Sequence, residues 1–169
     1  MAKFKDSIEE GEQGEKRFKK IIESFGLLVR EASFKENVHQ HIDFFVEGKT
    51  DKLRDFKFSV DVKARKRTSR GSNEYDEEYT WVEFKNVQGR KGWLYGEADK
   101  IAFEVEKGFL MVDREDLVKW CEEKVDFKKS VRTAASAIYK VYTRKGRDDL
   151  ITRIKTKDIR DLNSCRLLV

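Results

Sequence analysis

The stretch Phe56-Lys57-Phe58-Ser59-Val60-Asp61-Val62-Lys63 is the part of this sequence that says most about the fold. Apolar and polar residues alternate along it without interruption, which is the period-two pattern of a strand that buries one face. We therefore predict a strand over residues 56–62. The pattern places Asp61 and Lys63 on its polar face, about 7 Å apart along the strand.

A second acid lies on the strand expected just before this one. Residues 42–46 are rich in β-forming types and include Asp43, and residues 47–51 have the polarity and the glycine of a hairpin loop. Such a hairpin would bring Asp43 beside Asp61 and Lys63. The alternative is a set of ordinary ion pairs on an exposed sheet face.

The region before these strands predicts a helix. The residues Ile8, Glu12, Glu15, Phe18, Ile22 and Phe25 recur at steps of three and four, as on one face of a helix, and Gly26 is placed to end it. Glu15 lies on the same stripe as Phe18, so the helix would turn a carboxylate toward the core or along its edge. Ordinary acidity in the first turns is the alternative, and Glu12 is the substitute for Glu15.

The remaining chain predicts more strands and helices within one α/β domain over 1–169. Strands are expected at 27–29, 79–84, 100–105, 109–112, 137–143 and 150–154, with a polar loop at 66–78 and helices near 117–125 and 158–162. We expect a mixed central β-sheet flanked by helices, with a core over about 8–125. A basic C-terminal extension over about 127–169 should form a β-hairpin and a short helix.

Composition excludes several classes of protein. Cys121 and Cys165 are the only cysteines and have no Cys or His cluster around them, which argues against a structural zinc site and a disulfide scaffold. No apolar run approaches 18 residues, and the first ten residues lack the apolar stretch of a signal peptide. We expect a cytoplasmic protein without a membrane partner.

The net charge of +5 is unevenly distributed. Residues 127–169 carry 12 Lys and Arg against four Asp and Glu, and a second basic cluster follows Lys63. Such asymmetry suits a polyanion, although a solvated basic surface explains it equally well. The expected nucleic-acid contacts are Arg65, Lys66, Arg67, Arg70, Arg90 and Lys91. In the loop at 88–96, Trp93 and Leu94 have the alternative role of filling the core, and Trp120 is expected to be core.

Hydrolysis of a phosphodiester requires a hard divalent ion held by carboxylates and a nearby lysine that offsets developing charge. The acid-x-Lys pattern alone is weak, because six matches occur: Glu47/Lys49, Asp55/Lys57, Asp61/Lys63, Glu83/Lys85, Glu122/Lys124 and Asp126/Lys128. Three of them fall on a helix or in a turn. Asp61/Lys63 is preferred because it ends the alternating strand, and Glu83/Lys85 remains its competitor.

In the order and spacing of these pieces, the sequence resembles the PD-(D/E)xK nuclease superfamily, and within it the archaeal-type Holliday-junction resolvases. The matching pieces span about residues 11–67: Gly11-x-x-x-Glu15 opening a helix, Gly26 closing it, a strand leading to Asp43, and a hairpin into Asp61-Val62-Lys63 with its trailing basic residues. The sequence departs from the pattern at Ile42, where the motif has proline, and at Asp61, where glutamate is commoner.

This resemblance implies a restriction-endonuclease-like core and a DNA endonuclease that depends on Mg²⁺, with Mn²⁺ able to substitute. It implies that Asp43, Asp61, Glu15 and the Val62 carbonyl are metal ligands and that Lys63 is the catalytic lysine. It also implies a homodimer, for which the apolar residues of the 137–154 hairpin offer a surface unless they pack on the core.

Two further alternatives stay open. His39 and His41 would share a face if they lay on a strand, and such a pair suggests a transition-metal site. A simpler interpretation makes His39 an ordinary polar residue of a loop. His41 would then support the metal ligands or contact a phosphate. The function itself has two competitors, a non-catalytic nucleic-acid-binding protein on the same fold and an interaction protein whose charges are solvated.

Overall fold

Four helices and ten strands follow one another in the computed structural model, which describes residues 2–69 and 72–169. The helices are α1 (Ala2–Ser24), α2 (Phe34–Gln40), α3 (Arg114–Lys124) and α4 (Thr156–Arg160). The strands are β1 (Leu28–Glu31), β2 (Phe44–Lys49), β3 (Asp55–Lys63), β4 (Tyr79–Lys85), β5 (Lys100–Val105), β6 (Gly108–Asp113), β7 (Asp126–Val131), β8 (Lys140–Tyr142), β9 (Leu150–Lys155) and β10 (Arg166–Leu168). The predicted α/β class is confirmed.

The first sheet is mixed, as predicted. It has six strands in the order β1-β2-β3-β5-β6-β10, and β3 and β5 run parallel while the other neighbours are antiparallel. The predicted β2–β3 hairpin is confirmed, with Phe44 opposite Val60 and Lys49 opposite Asp55. Its turn occupies residues 50–54, so the expected loop at 47–51 is wrong for residues 47–49, which continue the ladder.

A second sheet was not predicted. β4 pairs with β9, and β8 and β7 continue the sheet, so the expected single central sheet is two sheets. The strand expected at 137–143 is reduced to β8, which forms the predicted hairpin with β9. β7 has no alternation of apolar residues and is mostly exposed, which explains why its sequence carries no strand pattern.

The six-stranded sheet is the middle layer of the molecule. On one face α1 packs through Phe18 and Ile22 onto residues of β2 and β3 such as Val46 and Val60, all four of which are essentially buried. On the other face β5 and β6 share a second core with β4, β9, α3 and α4. Gly26 ends the helical region with φ at 74°, a left-handed value that favours glycine.

The C-terminal region contributes to this second core. Val141 is 4% exposed, Ile154 is fully buried, and Tyr139 packs edge-on against Trp120. The hairpin at 137–154 therefore packs on the core, and the surface suggested for a homodimer is not an exposed apolar patch. Trp120 is partly buried against the same core, as expected.

No helix in the described residues is long and apolar enough to cross a membrane.

Candidate active site

The β2–β3 hairpin brings Asp43 to the C-terminal end of β3, next to Asp61. Asp43 precedes the first residue of β2, and its backbone N–H donates to the carbonyl of Val60 at 2.9 Å. Its Oδ2 accepts the backbone N–H of Val62 at 2.6 Å. The Asp43 carboxylate is therefore tied to the strand that carries Asp61.

Asp61 and Lys63 share a face of β3, as the alternation predicted. Lys63 Nζ lies 2.7 Å from Asp61 Oδ1, and Asp61 is 2% exposed. The second oxygen, Oδ2, is buried and receives no hydrogen bond from a donor among the residues that the structure describes, and the Asp61 carboxyl group also lies within hydrogen-bonding reach of the Asp43 side chain. Burial raises the pKa of Asp61 to about 8, and the neighbouring charge of Asp43 adds to the rise while Lys63 opposes it.

Glu15 reaches the same site from α1. Its side chain is half-buried, and burial together with the charge of Asp43 raises its pKa to about 7, against the effect of Lys63. A Cβ on Gly14 would lie 3.0 Å from the Cβ of Ala64, so a glycine there lets α1 approach the end of β3. Gly11, the glycine of the sequence motif, has open space around it. Glu12 is exposed, which favours Glu15 over its substitute.

The second sheet and the loop after β4 complete the surroundings of Lys63. The ring centre of Trp93 lies 4.8 Å from Lys63 Nζ. Burial raises the pKa of Glu83 in β4, while the charge of Lys63 and a hydrogen bond from the Trp93 backbone oppose the rise. Glu83 therefore joins the same group as Asp61 and Lys63. Its partner in the competing motif, Lys85, is exposed and is separated from Glu83 by a register shift.

Helix α2 also contributes, and the sequence reasoning missed it. Asn37 Nδ2 donates to Asp43 Oδ1 at 2.6 Å. The sequence signal for the start of this helix is a capping box. In it, the Ser33 side chain accepts the backbone N–H of Glu36, and the Glu36 side chain accepts the backbone N–H of Ser33. Because Ser33 and Glu36 fix where α2 begins, they also place Asn37 beside the site.

The histidines do not form a strand pair. His39 lies on α2 and is exposed, whereas His41 caps the end of that helix with φ at 55°. His41 is half-buried, and burial, assisted by the charge of Lys63, lowers its pKa. The two side chains therefore have different surroundings, and His41 alone lies near the acids.

Among the described residues, no group of three or more His, Cys, Asp or Glu side chains could hold a metal ion in the positions that the structure gives them. The hydrogen bonds show where the acids are directed instead: Asp43 accepts from Asn37 and Val62, and Asp61 accepts from Lys63. The chemistry of these donors still suits a hard cation, because they are carboxylate oxygens and one of them is buried with no hydrogen-bond donor among the described residues. A cation there would neutralise charge that Lys63 alone cannot.

The expected nucleic-acid contacts are divided between paired and exposed residues. Arg65 pairs with Glu77 at 2.8 Å, and Arg67 pairs with Glu10 at 2.6 Å. Lys66, Arg90 and Lys91 are exposed, whereas Arg70 lies outside the described residues.

In the loop at 88–96, Leu94 is fully buried, which confirms its core role, while Trp93 is half-buried beside Lys63.

No protein-family model matches this chain, and neither a curated protein nor a solved structure resembles it significantly.

Proposed function

We propose that this protein is a metal-dependent DNA endonuclease built on a restriction-endonuclease-like core. The observation that carries the proposal is the buried Asp61 carboxyl group, which has one oxygen on Lys63 and one that no hydrogen-bond donor among the described residues reaches, next to the second acid Asp43. Leaving a buried carboxylate oxygen unpaired costs free energy, and functional sites are where proteins tolerate that cost. The charge of Asp43 acts on Asp61, and Glu15 lies within electrostatic reach of Asp43 and Lys63.

The proposed ligands are Asp43, Asp61, Glu15 and the backbone carbonyl of Val62. A bound Mg²⁺, or Mn²⁺ in its place, supplies polarisation of the phosphate and a lower pKa for a bound water. Asp43 is held ready by Asn37 and by the Val62 N–H, so its carboxylate needs little reorganisation to bind.

Lys63 has the catalytic role in this proposal. Its ammonium group orients the attacking water and stabilises the negative charge that develops on the phosphate. The Trp93 ring covers one side of that group and Asp61 accepts a hydrogen bond from it, so Lys63 is restrained before any substrate binds. Such restraint favours the transition state because no side chain has to be ordered during the reaction.

The test is nicking of supercoiled plasmid with Mg²⁺ and with EDTA. We expect cleavage with Mg²⁺ only, and a loss of at least about 100-fold in Asp61→Asn and in Lys63→Ala. Asp55→Asn is the matched control, because Asp55 opens the same strand, also starts an acid-x-Lys sequence, and has an 85% exposed side chain. Binding without cleavage by the wild type would instead identify a non-catalytic nucleic-acid-binding protein.

Within this proposal the substrate is structured DNA and the active form is a homodimer. Two-fold symmetry would present one site to each strand of a duplex or junction. A comparison of labelled duplex, single-stranded, flap and four-way-junction DNA identifies the substrate, and resolvase-like activity requires paired cuts in the junction.

A further inference from the structure

The loop between β8 and β9, residues 143–149, is built around one buried carboxylate. Asp149 is 1% exposed, and its side chain accepts the backbone N–H of Arg144 at 2.9 Å and also the Nε–H of the same residue. The hydroxyl of Thr143 donates to the Asp149 backbone carbonyl at 2.8 Å. Because a buried carboxylate is costly without such partners, Asp149 fixes the Arg144 side chain in one orientation.

Only one edge of the Arg144 guanidinium is used in this way. Among the described residues, its hydrogen bonds involve Nε, the backbone N–H and the backbone carbonyl, and the two terminal amino groups make none. The side chain is 37% exposed. A fixed guanidinium with two free donor groups matches the geometry of a phosphate and loses little entropy on binding it.

The 143–149 loop lies next to the candidate active site. Its Asp148 backbone N–H donates to the Val87 carbonyl at 3.3 Å, and a Cβ on Gly89 would lie 3.3 Å from the Cβ of Asp148. These contacts dock it on the loop that carries the exposed Arg90 and Lys91. The positive charges of Lys63 and Arg144 both act on the Glu83 carboxylate and oppose the rise that burial causes in its pKa. Glu83 thus has Lys63 and Arg144 as neighbours.

We propose that Arg144, oriented by Asp149, binds a phosphate of the DNA backbone beside the one that Lys63 faces. This inference rests on the proposed function and adds a positioning residue that neither the acid-x-Lys pattern nor the basic cluster after Lys63 contains. Arg144 holds the backbone in register with the catalytic group, while the Asp149 carboxylate keeps its guanidinium from pairing with the nearby acids. A neutralised phosphate releases counterions, so the contact has a measurable salt signature.

The experiment measures binding of a short labelled DNA duplex in EDTA at several salt concentrations. We expect Arg144→Ala to weaken binding by about 5- to 10-fold and to reduce the slope of log K against log salt by about one. Arg144→Lys should keep most of the salt slope, because it retains the charge, and lose part of the affinity. Lys145→Ala is the matched control, since Lys145 is the exposed neighbour of Arg144, and its binding should stay within about twofold of wild type.

The loss of the Arg144 side chain leaves the buried Asp149 carboxylate with only the backbone N–H of residue 144 as a partner among these two. The double variant Arg144→Ala/Asp149→Asn and its melting curve therefore separate lost binding from a disordered loop. If Arg144→Ala and Lys145→Ala both bind the duplex as tightly as the wild type does, the inference about Arg144 is overturned, even if the wild type nicks plasmid. A wild type that binds but does not nick would overturn the nuclease proposal and leave the Arg144 result valid. A wild type that does not bind DNA would overturn both.

Discussion

Asp61 brings a carboxylate into the interior of the protein with Lys63 as the hydrogen-bond partner of one oxygen. Its position follows from β3, since period-two geometry sends it to the face opposite Val60 and Val62, which pack on α1. The carboxyl group of Glu15, inside α1, is likewise affected, since burial and the nearby Asp43 disfavour its charged form. Both residues make the metal-free protein sensitive to pH.

In EDTA, we expect the free energy of unfolding to fall as pH rises from about 4 to about 8. The pKa of Asp61 is about 8 when folded and 3.8 when unfolded, so the folded state binds the proton more tightly and loses that advantage on ionisation. Glu15, whose pKa is about 7 when folded and 4.5 when unfolded, acts in the same direction. The loss should exceed the about 1.4 kcal/mol that corresponds to one pKa unit, because each of the two shifts is larger than one unit.

Urea unfolding at several pH values measures this dependence. Asp61→Asn should flatten the curve, because an amide does not ionise, and Glu15→Gln should flatten it to a smaller extent. Asp55→Asn, on the exposed start of β3, should leave the curve unchanged. Identical curves for Asp61→Asn and wild type would show that Asp61 is ionised in the folded protein without penalty.

A bound divalent ion should offset this loss of stability at high pH, and that prediction does not depend on catalysis. At pH 8, Mg²⁺ or Mn²⁺ at a concentration about 100 times its Kd should stabilise the wild type by about 2.7 kcal/mol, because it binds only the folded state. Asp61→Asn and Asp43→Asn should lose most of the increase in melting temperature. An equal increase in wild type and both variants would place the ion elsewhere.

At the scale of elements, the approach of α1 to β3 decides whether Glu15 reaches the site. The closest neighbour of a Cβ on Gly14 would be Ala64, which follows Lys63, whereas a Cβ on Gly11 would meet nothing within 4 Å. The same substitution at these two positions therefore separates helix propensity from packing. Replacing either glycine by alanine gains the roughly 1 kcal/mol by which alanine exceeds glycine in a helix.

We expect Gly11→Ala to raise the free energy of unfolding by about 0.5–1 kcal/mol. The free energy of unfolding of Gly14→Ala should be about 1 kcal/mol lower than that of Gly11→Ala. Gly14→Ala should also slow cleavage, because α1 must shift and carry Glu15 with it, while Gly11→Ala should cleave as the wild type does. Urea unfolding and plasmid nicking measure the two effects. Equal stability of the two variants would mean that α1 adjusts freely at Gly14.

At the scale of the whole molecule, each chain presents one Asp61/Lys63 site, while cutting both strands of a duplex calls for two. We expect light scattering to give about twice the 20.0 kDa of a single chain. The contact does not involve Val141 or Ile154, which are buried. A mass of one chain that stays unchanged when DNA is added to Lys63→Ala would contradict the dimer and point to an enzyme that nicks.

Patterns that are local in the chain allowed elements to be predicted from the sequence. The alternation through Val60 predicted β3, the three- and four-residue steps around Phe18 predicted α1, and the hairpin signal brought Asp43 to Asp61. Helix α2 had a readable start at Ser33 and was still missed, and β7 had no apolar alternation to detect. Local order follows from periodicity and turn chemistry, which one segment contains by itself.

What the sequence determined by itself is therefore the α/β class, the β2–β3 hairpin and the grouping of Asp43, Asp61 and Lys63. Only the tertiary structure decided that β4 and β9 form a second sheet, since residues about 70 positions apart pair there and no local pattern encodes their meeting. That pairing brings Glu83 and the 143–149 loop to the site. Burial of Asp61, the contact of Trp93 with Lys63 and the orientation of Arg144 by Asp149 all depend on such distant contacts, because burial and desolvation belong to the packed chain.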